Sequence, residues 1–167
     1  MVVLSVIIPA YNESRSIGRI IGYLKEQQFE NMEVVFVVDS KTTDNTLELI
    51  SEMSEGLNCK SIVQTGDGRL GEARNIGLDN SSGEYVWFLD ADDRPFSDFV
   101  PTMIWLAEEY EADIVQCNFV RSSDINAPEP KGNFKIKVYS GEEALIERSH
   151  ERIPVTAWSM IHRRNFL

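Results

Sequence analysis

Tyr85-Val86-Trp87-Phe88-Leu89-Asp90-Ala91-Asp92-Asp93 runs from strand-forming apolar residues directly into three carboxylates within four positions. Strand periodicity is two, so at a strand end Asp90 and Asp92 point to the same side and their oxygens can converge on one divalent ion. Hard oxygen ligands that leave coordination positions vacant suit magnesium or manganese shared with a diphosphate. The plainer alternative is an acidic loop that caps the following helix, whose start is signalled by Ser97-Asp98.

Outward from this stretch the chain alternates short apolar runs with longer periodic segments. Residues 3–8, 34–38, 61–64, 85–89 and 114–118 read as strands, the third being the weakest. Asn12-Glu13-Ser14 opens a helix whose apolar face is Ile17, Ile20, Ile21 and Leu24. Thr42 or Thr43 can cap a second helix carrying Leu47, Ile50 and Met53. Residues 70–79 and 97–110 read as two more. Strands buried on both faces and separated by helices imply a three-layer α/β/α sandwich around a mainly parallel sheet with right-handed crossovers.

The regularity fades after residue 119. Residues 121–131 read as a loop containing Pro128 and Pro130, and 134–138 alternate like an edge strand. Ser140-Gly141-Glu142-Glu143 starts a short helix through Ile146. Residues 155–167 are aromatic and basic, end without a cap or turn signal, and are assigned no strand. The chain is expected to stop in mid-architecture.

Composition excludes several classes of partner. The 167 residues, 43% hydrophobic, suffice for one domain with a core. A formal net charge of −11 argues against nucleic acid, whose phosphates need a basic face, and disfavours anionic lipid. No run approaches ~20 apolar residues and no signal peptide opens the chain, so a cytoplasmic protein without an integral membrane segment is expected. Cys59 and Cys117 lack metal or redox spacing and read as buried, reduced thiols beside strands rather than a disulfide.

In open parallel sheets ligands bind beyond the carboxyl ends of the strands. The first strand runs into Pro9-Ala10-Tyr11-Asn12-Glu13, the second into Asp39-Ser40-Lys41-Thr42-Thr43-Asp44, and the fourth into Asp90-Ala91-Asp92-Asp93. Tyr11 can stack on a base and Asp39 can accept a hydrogen bond from base or ribose. Each can equally be a loop residue satisfied by nearby backbone.

Ser5-Val6-Ile7-Ile8-Pro9-Ala10-Tyr11-Asn12-Glu13, Gly71-Glu72-Ala73-Arg74-Asn75-Ile76-Gly77 and the 83–93 strand resemble, in order, the motifs of the family-2 inverting glycosyltransferases of GT-A fold. The segment from Trp158 to Leu167 is similar to a Trp-x-x-hydrophobic-x-Arg segment on that family's acceptor side. The resemblance implies transfer of a sugar from a nucleotide diphosphate to a saccharide or lipid-linked acceptor in polysaccharide or glycoconjugate synthesis. It implies a nucleotide site of Pro9, Tyr11, Glu13, Asp39, Ser40, Arg74 and Asp90, with a Mn2+ or Mg2+ ion on Asp92 and Asp90. Arg74 would lie near the diphosphate, or else pair with Glu72 or Asp79 on a helix surface. Arg163 and Arg164 are expected to be solvated. Residues 1–95 would form the nucleotide- and metal-binding part of a single domain and 96–167 the start of the acceptor side. A location on the inner face of the membrane is compatible with this reading.

Two departures stand out. The family's Asp-Asp-Gly-Ser-Thr-Asp is here Asp39-Ser40-Lys41-Thr42-Thr43-Asp44. The Glu-Asp pair that typically supplies the general base is absent, so the base is expected beyond Leu167. Rival readings are a non-catalytic sugar-nucleotide binding module, an aspartate-nucleophile phosphatase, which typically has Thr or Val where Asp93 stands, and a receiver-type domain, which wants a Lys where the fifth strand ends Gln116-Cys117-Asn118.

Overall fold

A computed structural model describes residues 1–122, 124 and 135–167. The longest apolar runs of the sequence form the centre of the sheet: β1 (Leu4–Ala10) and β2 (Met32–Asp39) are buried along nearly their whole length. β3 (Cys59–Gln64) flanks β2, and β4 (Tyr85–Phe88) pairs with β1 on its other side. All four are parallel. Beyond β4 the sheet continues through β6 (Met160–Arg163) to β5 (Ile114–Gln116), giving the order β3-β2-β1-β4-β6-β5.

The expected three-layer, mainly parallel architecture is therefore present, with one addition. β6 inserts between β4 and β5 and runs antiparallel to both. Only four residues long, and half-buried at its second half, it carries no period that distinguishes it from a loop. It is held by the sheet rather than by propensity: Trp87 Nε1 donates to the Trp158 carbonyl at 2.7 Å just before it, and Cys117 N donates to Ser159 O at 3.0 Å.

Helices cover both faces. α1 (Ile17–Glu26), α2 (Thr46–Met53) and α4 (Phe99–Glu109) share the larger core with Val6, Ile8, Val34, Phe36 and Trp87. α3 (Leu70–Asp79) covers the other face, where Ala73 meets Val35 and Val37. The approach of α3 is close enough that a Cβ on Gly77 would lie 2.2 Å from Ile7 Cγ2, so a hydrogen is required there. α5 (Gly141–Ser149) opens with the Ser140/Glu143 capping box and carries no buried residue.

Several expectations are revised. The anticipated face Ile17, Ile20, Ile21 and Leu24 is buried, but α1 starts at Ile17 rather than at Asn12-Glu13-Ser14 because Asn12 adopts a left-handed φ of 54° that a helix does not accommodate. α2 starts at Thr46, beyond Thr42 and Thr43, and of its expected face Ile50 is buried while Leu47 and Met53 are exposed. Residues 135–138 are not a strand and pair with neither edge of the sheet; Phe134, and most of the 121–131 loop with Pro128 and Pro130, lie outside the described residues. Both cysteines are free, as expected, but half-buried rather than buried.

Arg164 is not solvated. Its guanidinium donates to Gly83 O at 2.6 Å, Leu78 O at 3.2 Å and Ser81 Oγ at 2.8 Å, gathering the end of α3 and the start of β4. Arg163 pairs with Glu84 at 2.7 Å. Next to Arg164, Glu33 is a buried carboxylate on β2. Burial opposes its charge, but hydrogen bonds from Ser82 N, Ser5 Oγ and Ser82 Oγ, with Lys60 nearby, hold it below the usual carboxylate range. This polar knot lies at the amino ends of the central strands. The opposite rim is left to the site.

Candidate functional site

Parallel strands present their carboxyl ends on one rim, and adjacency of β2, β1 and β4 brings three strand ends side by side. An open cleft of about 270 Å³ lies there, lined by Pro9 and Ala10 at the end of β1, Tyr11 and Glu13 after it, Val37 and Asp39 of β2, Asp90, Ala91 and Asp92 after β4, and Gln64, Gly68, Leu70 and Ala73 from β3 to α3. The residues expected from three separate motifs thus share one cavity. Tyr11 is 56% exposed, a flat apolar surface presented to solvent at the cleft wall.

Two expected residues stand apart from this lining. Ser40 lies on a neighbouring depression of about 160 Å³ with Asp39, Thr42, Asp44 and Leu47, because its N–H donates to Gln64 O at 2.9 Å and the chain turns away from the cleft. Arg74 pairs with neither Glu72 nor Asp79. It reaches across from α3 to Asp90, NH2 to Oδ1 at 2.9 Å, with both side chains largely shielded from water. Its Nε is buried and has no partner. Conversely, Gln64, Gly68, Leu70 and Ala73 were not anticipated as cleft residues. The one available signal was the Gly66-Asp67-Gly68 turn immediately after the third strand.

The acidic cluster has an uneven electrostatic character. Asp92 is exposed, Asp90 is engaged by Arg74, and Asp93 is half-buried with Oδ2 lacking a partner. Burial first, then the Asp90 and Asp92 charges, push the Asp93 carboxyl up to about 6. Among the described residues no three His, Cys, Asp or Glu side chains converge as a complete metal cage. Asp90 and Asp92 are the two aspartates after β4 on the cleft lining that could serve a hard cation, one taking its remaining oxygens from diphosphate and water.

The loops framing the cleft are fastened to one another. Thr46 Oγ1 accepts from Glu13 N at 2.8 Å, Asp44 Oδ2 from Ser14 N at 3.0 Å, and Asn12 Oδ1 from Thr43 N at 2.8 Å. Glu13 itself accepts from the Ser16 hydroxyl, which holds its side chain at the cleft wall. The Thr46 hydroxyl bond, together with the bonds from Ser14 and the Thr46 N–H, lowers the Asp44 carboxyl to about 2. A carboxyl depressed in the folded state stabilises it above the unfolded pKa near 4, and that contribution fades as pH falls through 2. Asp44→Ala is therefore expected to melt below the parent chain at pH 6, with the gap narrowing steadily from pH 4 downward. A gap independent of pH would place the stabilisation elsewhere.

Comparison with known proteins follows the same line. The chain is 35% identical over 116 residues to the glycosyltransferase GlyA of Streptococcus pneumoniae, covering 70% of this chain and 16% of that protein. It is 33% identical over 117 residues to the poly(ribitol-phosphate) beta-N-acetylglucosaminyltransferase TarS of Staphylococcus aureus, covering 69% and 20%. The crystal structure of S. aureus TarS in complex with UDP-GlcNAc superposes with a TM-score of 0.78 at 27% identity, covering 99% of this chain and 46% of that one. The mannosyltransferase PcManGT of Pyrobaculum calidifontis, in complex with GDP-Man and Mn2+, gives 0.63 at 27% identity over 69% and 35%. The chain spans less than half the length of each of these proteins. Among the described residues no helix is long and apolar enough to cross a membrane. The profile of the family described as glycosyl transferase family 2 matches residues 5–166, nearly the whole chain, and with the strand order and rim already described it follows that this chain belongs to that family.

Proposed function

We propose that this chain carries the donor site of a metal-dependent inverting glycosyltransferase, which moves a sugar from a nucleotide diphosphate to an acceptor hydroxyl in polysaccharide or glycoconjugate synthesis. The observation that carries the reading is the single cleft shared by Pro9, Tyr11, Glu13, Asp39, Asp90 and Asp92. In it Tyr11 and Asp39 take the nucleoside, and Asp92, with Asp90, would hold a magnesium or manganese ion. When bound, that ion supplies neutralisation of charge on the leaving diphosphate. Ser40 lies outside the cleft lining, so nucleoside recognition rests on Asp39 and Tyr11.

Arg74 orients the cation-side carboxylate. Its ion pair with Asp90 fixes that side chain and leaves Asp92, the more exposed of the two, as the principal ligand. Residues 1–95 on this reading contain the nucleotide and cation contacts, and 96–167 begin the acceptor side. TarS and PcManGT, whose structures contain UDP-GlcNAc and GDP-Man with Mn2+, support a sugar nucleotide as the ligand class.

Calorimetric titration with UDP, GDP, CDP and TDP, each with and without manganese, tests the reading. Saturable binding of at least one nucleotide, strengthened by manganese, is expected. Absence of binding to all four in manganese would overturn it.

A further inference from the structure

Asp39 is held from two directions. Its Oδ1 accepts the Lys41 N–H at 2.8 Å, and its Oδ2 faces the β3–α3 turn, where Gly68 has a φ of +70°. An ideal Cβ on Gly68 would fall 2.0 Å from Asp39 Oδ2 and 3.1 Å from its carboxyl carbon. That is well inside van der Waals contact. Such a methyl would force the Asp39 carboxylate to move, and the bond from the Lys41 N–H opposes that movement. Both residues line the cleft. Gly66, two residues earlier and also at positive φ, meets no atom closer than Glu72 Oε1 at 3.7 Å and does not touch Asp39.

We propose that Gly68 is a positioning residue for the nucleoside end of the ligand: its bare Cα is the wall against which the Asp39 carboxylate is set, and any side chain there would turn that carboxylate out of register. The proposal rests on the donor-site reading above and adds a residue that contributes no functional group of its own. It separates the two ends of the cleft. The diphosphate end, at Asp90 and Asp92, is built from a different strand and does not depend on Gly68.

The test compares the 167-residue chain with Gly68→Ala, Gly66→Ala, Asp39→Ala and the Gly68→Ala/Asp39→Ala double variant. The probes are whichever of UDP, GDP, CDP and TDP the parent binds best, and inorganic pyrophosphate, both with manganese. Gly68→Ala is expected to lose roughly tenfold or more in nucleotide affinity, the worth of a hydrogen bond to a charged group, while pyrophosphate affinity stays within about twofold. Gly66→Ala, at a φ of +123°, imposes a positive-φ strain at least as severe without the collision, and should retain nucleotide affinity. In the Asp39→Ala background the Gly68 change should cost nothing further, since residues acting through one contact are not additive. The turn is largely exposed, so all variants should fold, the glycine variants melting up to several degrees lower because an Ala at positive φ costs about 1–2 kcal/mol.

Nucleotide binding by Gly68→Ala equal to the parent overturns the proposal. So does equal loss of pyrophosphate and nucleotide, an equal loss in Gly66→Ala, or full additivity with Asp39→Ala. A parent chain that binds none of the four nucleotides overturns the donor-site reading and this proposal with it, which distinguishes that failure from the others.

Discussion

Asp92→Asn is expected to abolish most of the manganese-dependent gain in nucleotide affinity, a loss on the order of 100-fold, while the melting temperature stays within a few degrees of the parent. The asymmetry follows from where the charge sits. Asp92 is exposed, so neutralising it neither empties the core nor strands a buried partner. The same change removes an anionic ligand from a cation that must bridge protein and diphosphate, leaving negative groups to face one another at short range. Titration of the variant with and without manganese checks it. Affinity equal to the parent in manganese would remove Asp92 from the metal site. Asp90→Asn is a less clean probe, because it also breaks the Arg74 ion pair.

Trp87→Ala should have the largest effect on stability. The side chain is 1% exposed at the centre of the β4 strand, its ring stacks on Phe99 at 4.5 Å, and its Nε1 donates to the Trp158 carbonyl. Truncation removes a large apolar body and leaves that carbonyl without its donor, for a loss of about 3–5 kcal/mol. In a chain of this size each kcal/mol corresponds to about 2–4 °C, so the melting temperature should fall by roughly 10 °C. Trp87→Phe should recover much of the packing but not the hydrogen bond, and fall between the two. A Trp87→Ala chain melting within a degree or two of the parent would mean that β6 is not tied to the core through this residue.

Much of the architecture was legible because its signals are local. β1 and β2 are continuous apolar runs since both of their faces are covered, and such runs leave few readings other than a central parallel strand. The faces of α1 and the bounds of α3 follow from 3.6-residue spacing. The abrupt change from apolar to acidic after β4, with the polar turns after β1 and β2, marks strand ends, and parallel topology then places those ends on one rim. Pro9, Tyr11, Glu13, Asp39, Asp90 and Asp92 were accordingly identifiable as neighbours before any coordinates.

What escaped the sequence is whatever depends on contacts between distant segments. β6 is too short to carry a period and exists because β4 and β5 offer it two edges. Arg164 reads as a terminal charged residue, yet carbonyls some eighty positions earlier accept its hydrogen bonds. The start of α2 is set by Thr46 and Asp44 bonding back to Glu13 and Ser14, not by the threonines nearest the strand. Ser40 sits next to Asp39 in the chain but outside its cleft, and Gly68 sits inside it at a distance of twenty-nine residues from Asp39. Periodicity and turn chemistry act over a few residues, so the sequence by itself determined the strands, the helices and the polarity of the sheet. Only close packing of the tertiary structure decided which side chain faces which, because the position of a carboxylate depends on the neighbouring atoms that leave it room.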